Sequence, residues 1–148
     1  MISIQSHGKT LSIADVDAWE RCHGLALPAD YRDFLLRYNG GRPSPASFRV
    51  PKWPGKESMV GDLLGIEPGG TCDIDRYWDE VRDRLPAELL PIGYDPGGNL
   101  ICLAINGNKQ GQVYYWDSSS DWELTEETGT LFMIAATFSE FLESLHKV

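Results

Sequence analysis

Nucleophilic catalysis needs a Cys or Ser side chain within reach of a base, and usually a third group that orients the base. The chain offers His7, His23 and His146 as bases and Cys22, Cys72 and Cys102 as thiols. His7 falls in an N-terminal stretch that reads as loose. His23 and His146 fall at predicted helix ends, where a partial positive charge suits the carbonyl pole of the dipole. No G-x-S-x-G is present, so no nucleophile elbow is expected.

Metal chemistry fares no better. Asp73-x-Asp75-x-x-x-Asp79-Glu80 begins like a cation loop, but an EF-hand needs an oxygen ligand at its fifth position and Gly at its sixth. Tyr77 and Trp78 stand there instead. Zinc sites start from pairs such as CxxC, HxH or HExxH, and none occurs. Gly55-Lys56 lacks the flanking residues of a phosphate loop. Asp95-Pro96-Gly97-Gly98-Asn99 joins two predicted strands, which is the place of a hairpin turn rather than a phosphate cradle. These patterns predict a protein without catalytic residues, cofactor or metal.

What remains is surface. One acidic stretch runs from Asp73 to Asp83, with Asp79 and Asp83 away from the Tyr77/Trp78 stripe. A second runs from Asp117 to Glu127 and interleaves Trp116 and Trp122 with Asp117, Asp121, Glu123, Glu126 and Glu127. Aromatic residues beside acids suit a patch for a basic protein partner. The plainer alternative places both Trp residues in the core and leaves the acids solvated. The candidate partner-binding residues are therefore Asp117, Asp121, Trp122, Glu123, Asp79 and Asp83.

A net charge of −9 argues against nucleic acid as a direct ligand, since phosphate binding needs a basic face. Three cysteines at wide spacing read as reduced, mostly buried thiols in a reducing compartment. The N-terminus lacks the pattern of a signal peptide, and no run approaches the roughly 18 apolar residues of a membrane span. The expectation is a soluble cytoplasmic protein, with 1–148 forming one domain and the oligomeric state left open.

The elements that would carry this surface are legible in outline. Ser12 can cap a helix over 13–23 that ends at Gly24, with Ile13, Val16 and Trp19 as its buried edge. Pro28 opens a second helix in which Tyr31, Phe34, Leu35 and Tyr38 form one apolar stripe, stopped by Asn39-Gly40-Gly41. Residues 42–45 read as a stiff connector. Short strands are expected at 48–50 and 58–66. A third helix, capped by Thr71 or Asp73, runs to about Leu85, with Ile74, Tyr77, Trp78 and Val81 on its stripe. Strands at 90–94, 100–105 and 112–117 form an antiparallel meander, the middle one buried on both faces. Residues 131–135 are a strand or a lead-in to a last helix capped by Thr137 or Ser139. The predicted class is α+β, a central and mostly antiparallel sheet with flanking helices.

Four blocks in this order resemble a known family. Leu27-Pro28-x-Asp30-Tyr31-x-x-Phe34-Leu35-x-x-Tyr38-Asn39-Gly40-Gly41 is similar to the signature of the SUKH superfamily, the Smi/Knr-like proteins. Leu90-Pro91-Ile92-Gly93 with Asp95, Gly97-Gly98-Asn99 and Ile101-Cys102-Leu103 resembles its second block. Gly111 to Asp117 resembles the third, and Ala135-x-Thr137-Phe138-x-x-Phe141-Leu142 the closing helix. The resemblance implies an α+β fold and no catalysis. Bacterial members are typically immunity proteins that bind and block a cognate toxin, often a nuclease; fungal relatives are regulatory interaction proteins. It implies structural roles for Pro28, Tyr31, Phe34, Leu35, Asn39, Gly40, Gly41, Gly93, Gly98 and Trp116, and a partner that is either a toxin with a basic surface or an endogenous protein.

Overall fold

A computed structural model describes residues 2–6, 8–118 and 131–148. In chain order the described elements are β1 (Ser3–Gln5), α1 (Ile13–His23), α2 (Ala29–Arg37), β2 (Arg42–Ser44), β3 (Ser47–Arg49), β4 (Glu57–Met59), β5 (Asp62–Leu63), α3 (Ile74–Val81), β6 (Leu89–Tyr94), β7 (Leu100–Ala104), β8 (Val113–Trp116), β9 (Leu131–Ala135) and α4 (Phe138–Ser144). The order β5-β6-β7-β8-β9 makes one antiparallel sheet, and β1-β2 and β3-β4 make two small antiparallel pairs. The fold is α+β, as expected.

Local signals fix the first two helices. In α1 the Ser12 hydroxyl accepts from the Asp15 amide at 3.1 Å and the Asp15 carboxylate accepts from the Ser12 amide at 2.9 Å, a complete capping box. These bonds hold the Asp15 carboxyl below its usual range, the Ser12 amide contributing most. Val16 and Trp19 are buried, but Ile13 is 63% exposed. The i, i+3, i+6 series drifts around the cylinder instead of holding one face, so the buried stripe starts only at Val16. Arg32 of α2 reaches across to α1, donating to Asp17 and Glu20 at 2.6 Å each, while Glu20 also accepts from the Leu27 amide at 2.7 Å. The link between the two helices is thus clamped at both ends.

The sheet separates two layers of core. Ile92, Ile101, Leu103, Val113, Tyr115 and Phe132 face α1, α2 and α4, meeting Tyr31, Phe34, Phe138 and Phe141. Leu89, Leu100, Cys102, Ala104, Tyr114, Trp116 and Leu131 face the other way, toward Val81 and Leu85. All five residues of β7 are buried, which matches a strand covered on both faces.

Four expectations are corrected. Residues 42–45 are not a free connector: β2 pairs with β1, which also orders the start of the chain taken as loose. Pro43 is tolerated because β2 is short and lies at a sheet margin, where a missing N–H costs little. The strand expected over 58–66 is two strands, because the chain changes partner at Gly61, from β3 to β6. Finally, α3 stops at Val81; Leu85 is still buried, through the turn that follows. The last helix is capped by Thr137, whose hydroxyl accepts from the Glu140 amide at 3.0 Å.

Candidate functional site

The motif residues turn out to be fasteners. Asn39 ends α2 at φ 52 and is buried. Its side-chain amide donates to the Lys9 and Ile66 carbonyls at 2.9 and 3.0 Å, and its oxygen accepts from the Ile66 amide at 2.7 Å. One side chain therefore ties α2, the segment before α1 and the loop after β5. Gly40 sits at φ 86, and a Cβ there would lie 2.8 Å from the Leu63 carbonyl oxygen. Gly41 then bridges to Leu63, bonding in both directions at 2.8 and 3.0 Å. Asp30, in the first turn of α2, accepts from the Ser139 amide and hydroxyl at 2.9 and 3.1 Å and so caps α4 from outside. Tyr31, Phe34 and Leu35 are buried, Pro28 stands at the N-cap of α2, and Gly93 lies at the register shift of β6.

A second fastener lies where β8 delivers the chain to the acidic stretch. Asp95, buried in the turn containing Gly98, accepts from the Gly97 and Asn99 amides at 3.0 and 2.8 Å, from Ser58 at 2.7 Å and from the Tyr115 hydroxyl at 2.5 Å. Asn99 donates to that hydroxyl at 2.7 Å and accepts from the Ser118 amide at 3.0 Å. Burial, and next the bond to Asp95, push the Tyr115 phenol well above its ordinary range, so it stays a donor. Trp53 packs edge-on against Tyr115 at 4.9 Å and donates to Asp117 at 2.9 Å. Asp117, a predicted partner residue, is therefore anchored at the root of its stretch. Sequence reasoning named this turn but missed the network, whose signal lay in a turn Asp followed by Asn and an aromatic strand.

The other predicted residues divide. Asp121, Trp122 and Glu123 lie outside the described residues. Trp116 is 1% exposed and belongs to the core, with the Arg84 guanidinium 5.1 Å above its ring. Asp83 and Asp117 are the sequence neighbours of the two residues in that contact. Asp79, 73% exposed, stands 3.4 Å from Arg82, and Glu80 stands 3.9 Å from Arg76. Cations from the same helix thus temper the charge of α3, whereas the sequence from 117 to 127 contains no Lys or Arg.

His23 does more than soften a helix end. Its ring stacks on Trp19 at 4.0 Å and lies parallel to Trp78 at 6.0 Å. Nδ1 is 2.7 Å from the Trp19 carbonyl and Nε2 is 2.7 Å from Asp75. This clasp joins α1 to α3 across 52 positions, a separation that no local pattern reports. His146 likewise meets Glu57 at 2.8 Å, which, ahead of the Ser144 carbonyl, raises its pKa. Of the thiols, Cys102 is buried, and burial pushes it up; Cys22 is exposed and Cys72 partly buried, so one of the three is buried where most were expected to be. Among the described residues no three His, Cys, Asp or Glu side chains gather as metal ligands. No described helix is long and apolar enough to cross a membrane.

The geometry is that of a scaffold in which several polar side chains fasten one element to another. A family model, the SMI1 / KNR4 family (SUKH-1), matches residues 10–144. The chain belongs to the SUKH-1 family. It is also 30% identical over 137 residues to the SPbeta prophage-derived uncharacterized protein YokK of Bacillus subtilis (strain 168), covering 82% of this chain and 68% of that protein. The SUKH signature residues coincide with the fasteners above: they close α2, shape the β6–β7 turn, fill β8 and start α4. The stretches at 66–88 and 118–130 fall between those blocks.

Proposed function

We propose that the chain is a bacterial immunity protein that binds a cognate toxin, a nuclease in the first instance, and masks it without chemistry of its own. SUKH membership across residues 10–144 carries this reading, since immunity is the role typical of bacterial members. The net charge of −9 supports it, because an acidic surface covers the basic nucleic-acid site of a nuclease and speeds encounter. Asp117, Asp121, Trp122 and Glu123, with Asp79 and Asp83, are the first contacts to test. The partner is a protein with a basic surface, met in the cytoplasm; direct nucleic-acid binding plays no part.

The test is capture and rescue. The tagged chain should pull down the protein encoded immediately upstream, and co-expression should abolish that protein's toxicity. If it captures nothing and leaves toxicity unchanged, the immunity reading is lost, and an endogenous regulatory partner becomes the working assumption.

A further inference from the structure

The dipeptide Asn-Gly occurs twice, as Asn39-Gly40 at the end of α2 and as Asn106-Gly107 in the loop between β7 and β8. Asn is among the thermolabile residues, because the next backbone nitrogen can attack its side-chain carboxamide. Gly is the neighbour that hinders this attack least, since it has no Cβ beside the nitrogen. In sequence the two dipeptides are identical. In the fold their surroundings are opposite.

Asn39 is buried, and its carboxamide is held at both ends by the Lys9 and Ile66 carbonyls and the Ile66 amide. Backbone closes over it as well. A Cβ on Gly65 would lie 2.5 Å from its Oδ1, and one on Gly8 would lie 2.8 Å from its Nδ2. Such a carboxamide has neither the freedom to turn nor the room to form a tetrahedral carbon. Asn106 and Gly107 are both exposed. Among the described residues neither the Asn106 carboxamide nor the Gly107 N–H has a hydrogen-bond partner. Open space lies where a Cβ of Gly107 would stand. The loop is fastened on either side of the pair: the Ile105 amide donates to the Glu88 carbonyl and the Gly111 amide to the Ala104 carbonyl, each at 2.8 Å.

We propose that Asn106 is a site of spontaneous deamidation and isoaspartate formation, and that the fold protects Asn39 from the same reaction. Hydroxide takes the Gly107 N–H proton, and the nitrogen forms a bond to Asn106 Cγ. The Cγ–Nδ2 bond breaks, water returns a proton, and ammonia leaves a succinimide ring. Water then opens the ring. Cleavage of the new bond at Cγ gives aspartate; cleavage at the main-chain carbonyl gives isoaspartate, with the backbone routed through the side chain. Water is the co-reactant, and nothing is oxidised or reduced. Either product makes a chain of formal net charge −9 one unit more negative. Position 106 lies beyond the paired residues of β7, so the sheet keeps its register when the loop backbone lengthens by one methylene. The assignment stands independently of partner capture.

The test is ageing of the full-length chain at neutral pH, followed by peptide mapping with fragmentation that separates aspartate from isoaspartate. In the folded chain Asn106 should convert about a hundredfold faster than Asn39, which must first open three hydrogen bonds. In urea that unfolds the chain the two rates should come within a few-fold of each other, since the carboxamide and backbone that shield Asn39 are then free. Ion exchange should show an acidic variant growing with age. Asn106→Gln, whose longer side chain closes its ring far more slowly, should suppress that variant and keep the urea midpoint of the wild type. Equal rates at the two sites in the folded chain, an Asn106 that converts in urea alone, or an undiminished acidic variant in Asn106→Gln would each overturn the proposal.

Discussion

Two carboxylates, Asp95 and Asp75, sit at opposite fates in the same fold. Asp95 is buried and takes four donors from three parts of the chain. Asp75 is partly exposed and accepts from one histidine. A charge that the chain satisfies completely holds the fold in one state. A charge that it satisfies on one side only leaves capacity for something outside. The first kind of site is architecture, and the second can change at little cost to the fold.

The contrast can be broken by substitution. Asp95→Ala strands Tyr115, Ser58 and two amides, and should cost about 3 kcal/mol in urea unfolding. A cost near that of a surface substitution would show the network to be ornamental. Tyr115→Phe removes the bond donated to Asp95 and the bond accepted from Asn99, and should cost about 1.5–3 kcal/mol, read as a lower midpoint at unchanged slope. Asp75→Asn, at the partly exposed site, should cost under about 1 kcal/mol of stability. Should it unfold the protein like Asp95→Ala, the division between closed and open sites collapses.

Tyr31 sharpens the same point from the apolar side. Its hydroxyl is fully buried with no partner among the described residues, and burial pushes the phenol up. Tyr31→Phe should therefore be neutral or stabilising by up to about 1 kcal/mol. The smallest effect is expected at His146. Its pKa is raised above 6.5 by Glu57. The stabilisation is present in full below the unfolded value of 6.5 and fades as pH rises through the folded value. Unfolding midpoints measured across that window should fall slightly for wild type and stay flat for His146→Gln.

How much of this was legible depended on sequence distance. The bounds of α1 were readable because its capping box and the glycine after it lie within the helix's own neighbourhood. The meander was readable because β6, β7 and β8 follow one another through short turns. The β1–β2 pair was not, since it joins Ser3 to Ser44 and neither strand has an alternating pattern of useful length. The clasp of His23 and Asp75 was missed for the same reason. A lone histidine at a helix end carries no sign of the carboxylate that folding brings to it. Of the predicted partner residues, Asp79 looked more acidic in sequence than in space, because Arg82 follows it by less than one helical turn.

The cap that Asp30 gives to α4 bears on how the chain is made. Its two ends are 109 positions apart. At about 5–20 residues per second, a ribosome needs roughly 5–20 s to travel from one to the other. Through that interval Tyr31 and Phe34 wait for Phe138, the ring both of them pack against. The nascent protein therefore shows its stickiest stripe early and covers it late, so a chaperone that recognises short aromatic segments has its window near the start of synthesis.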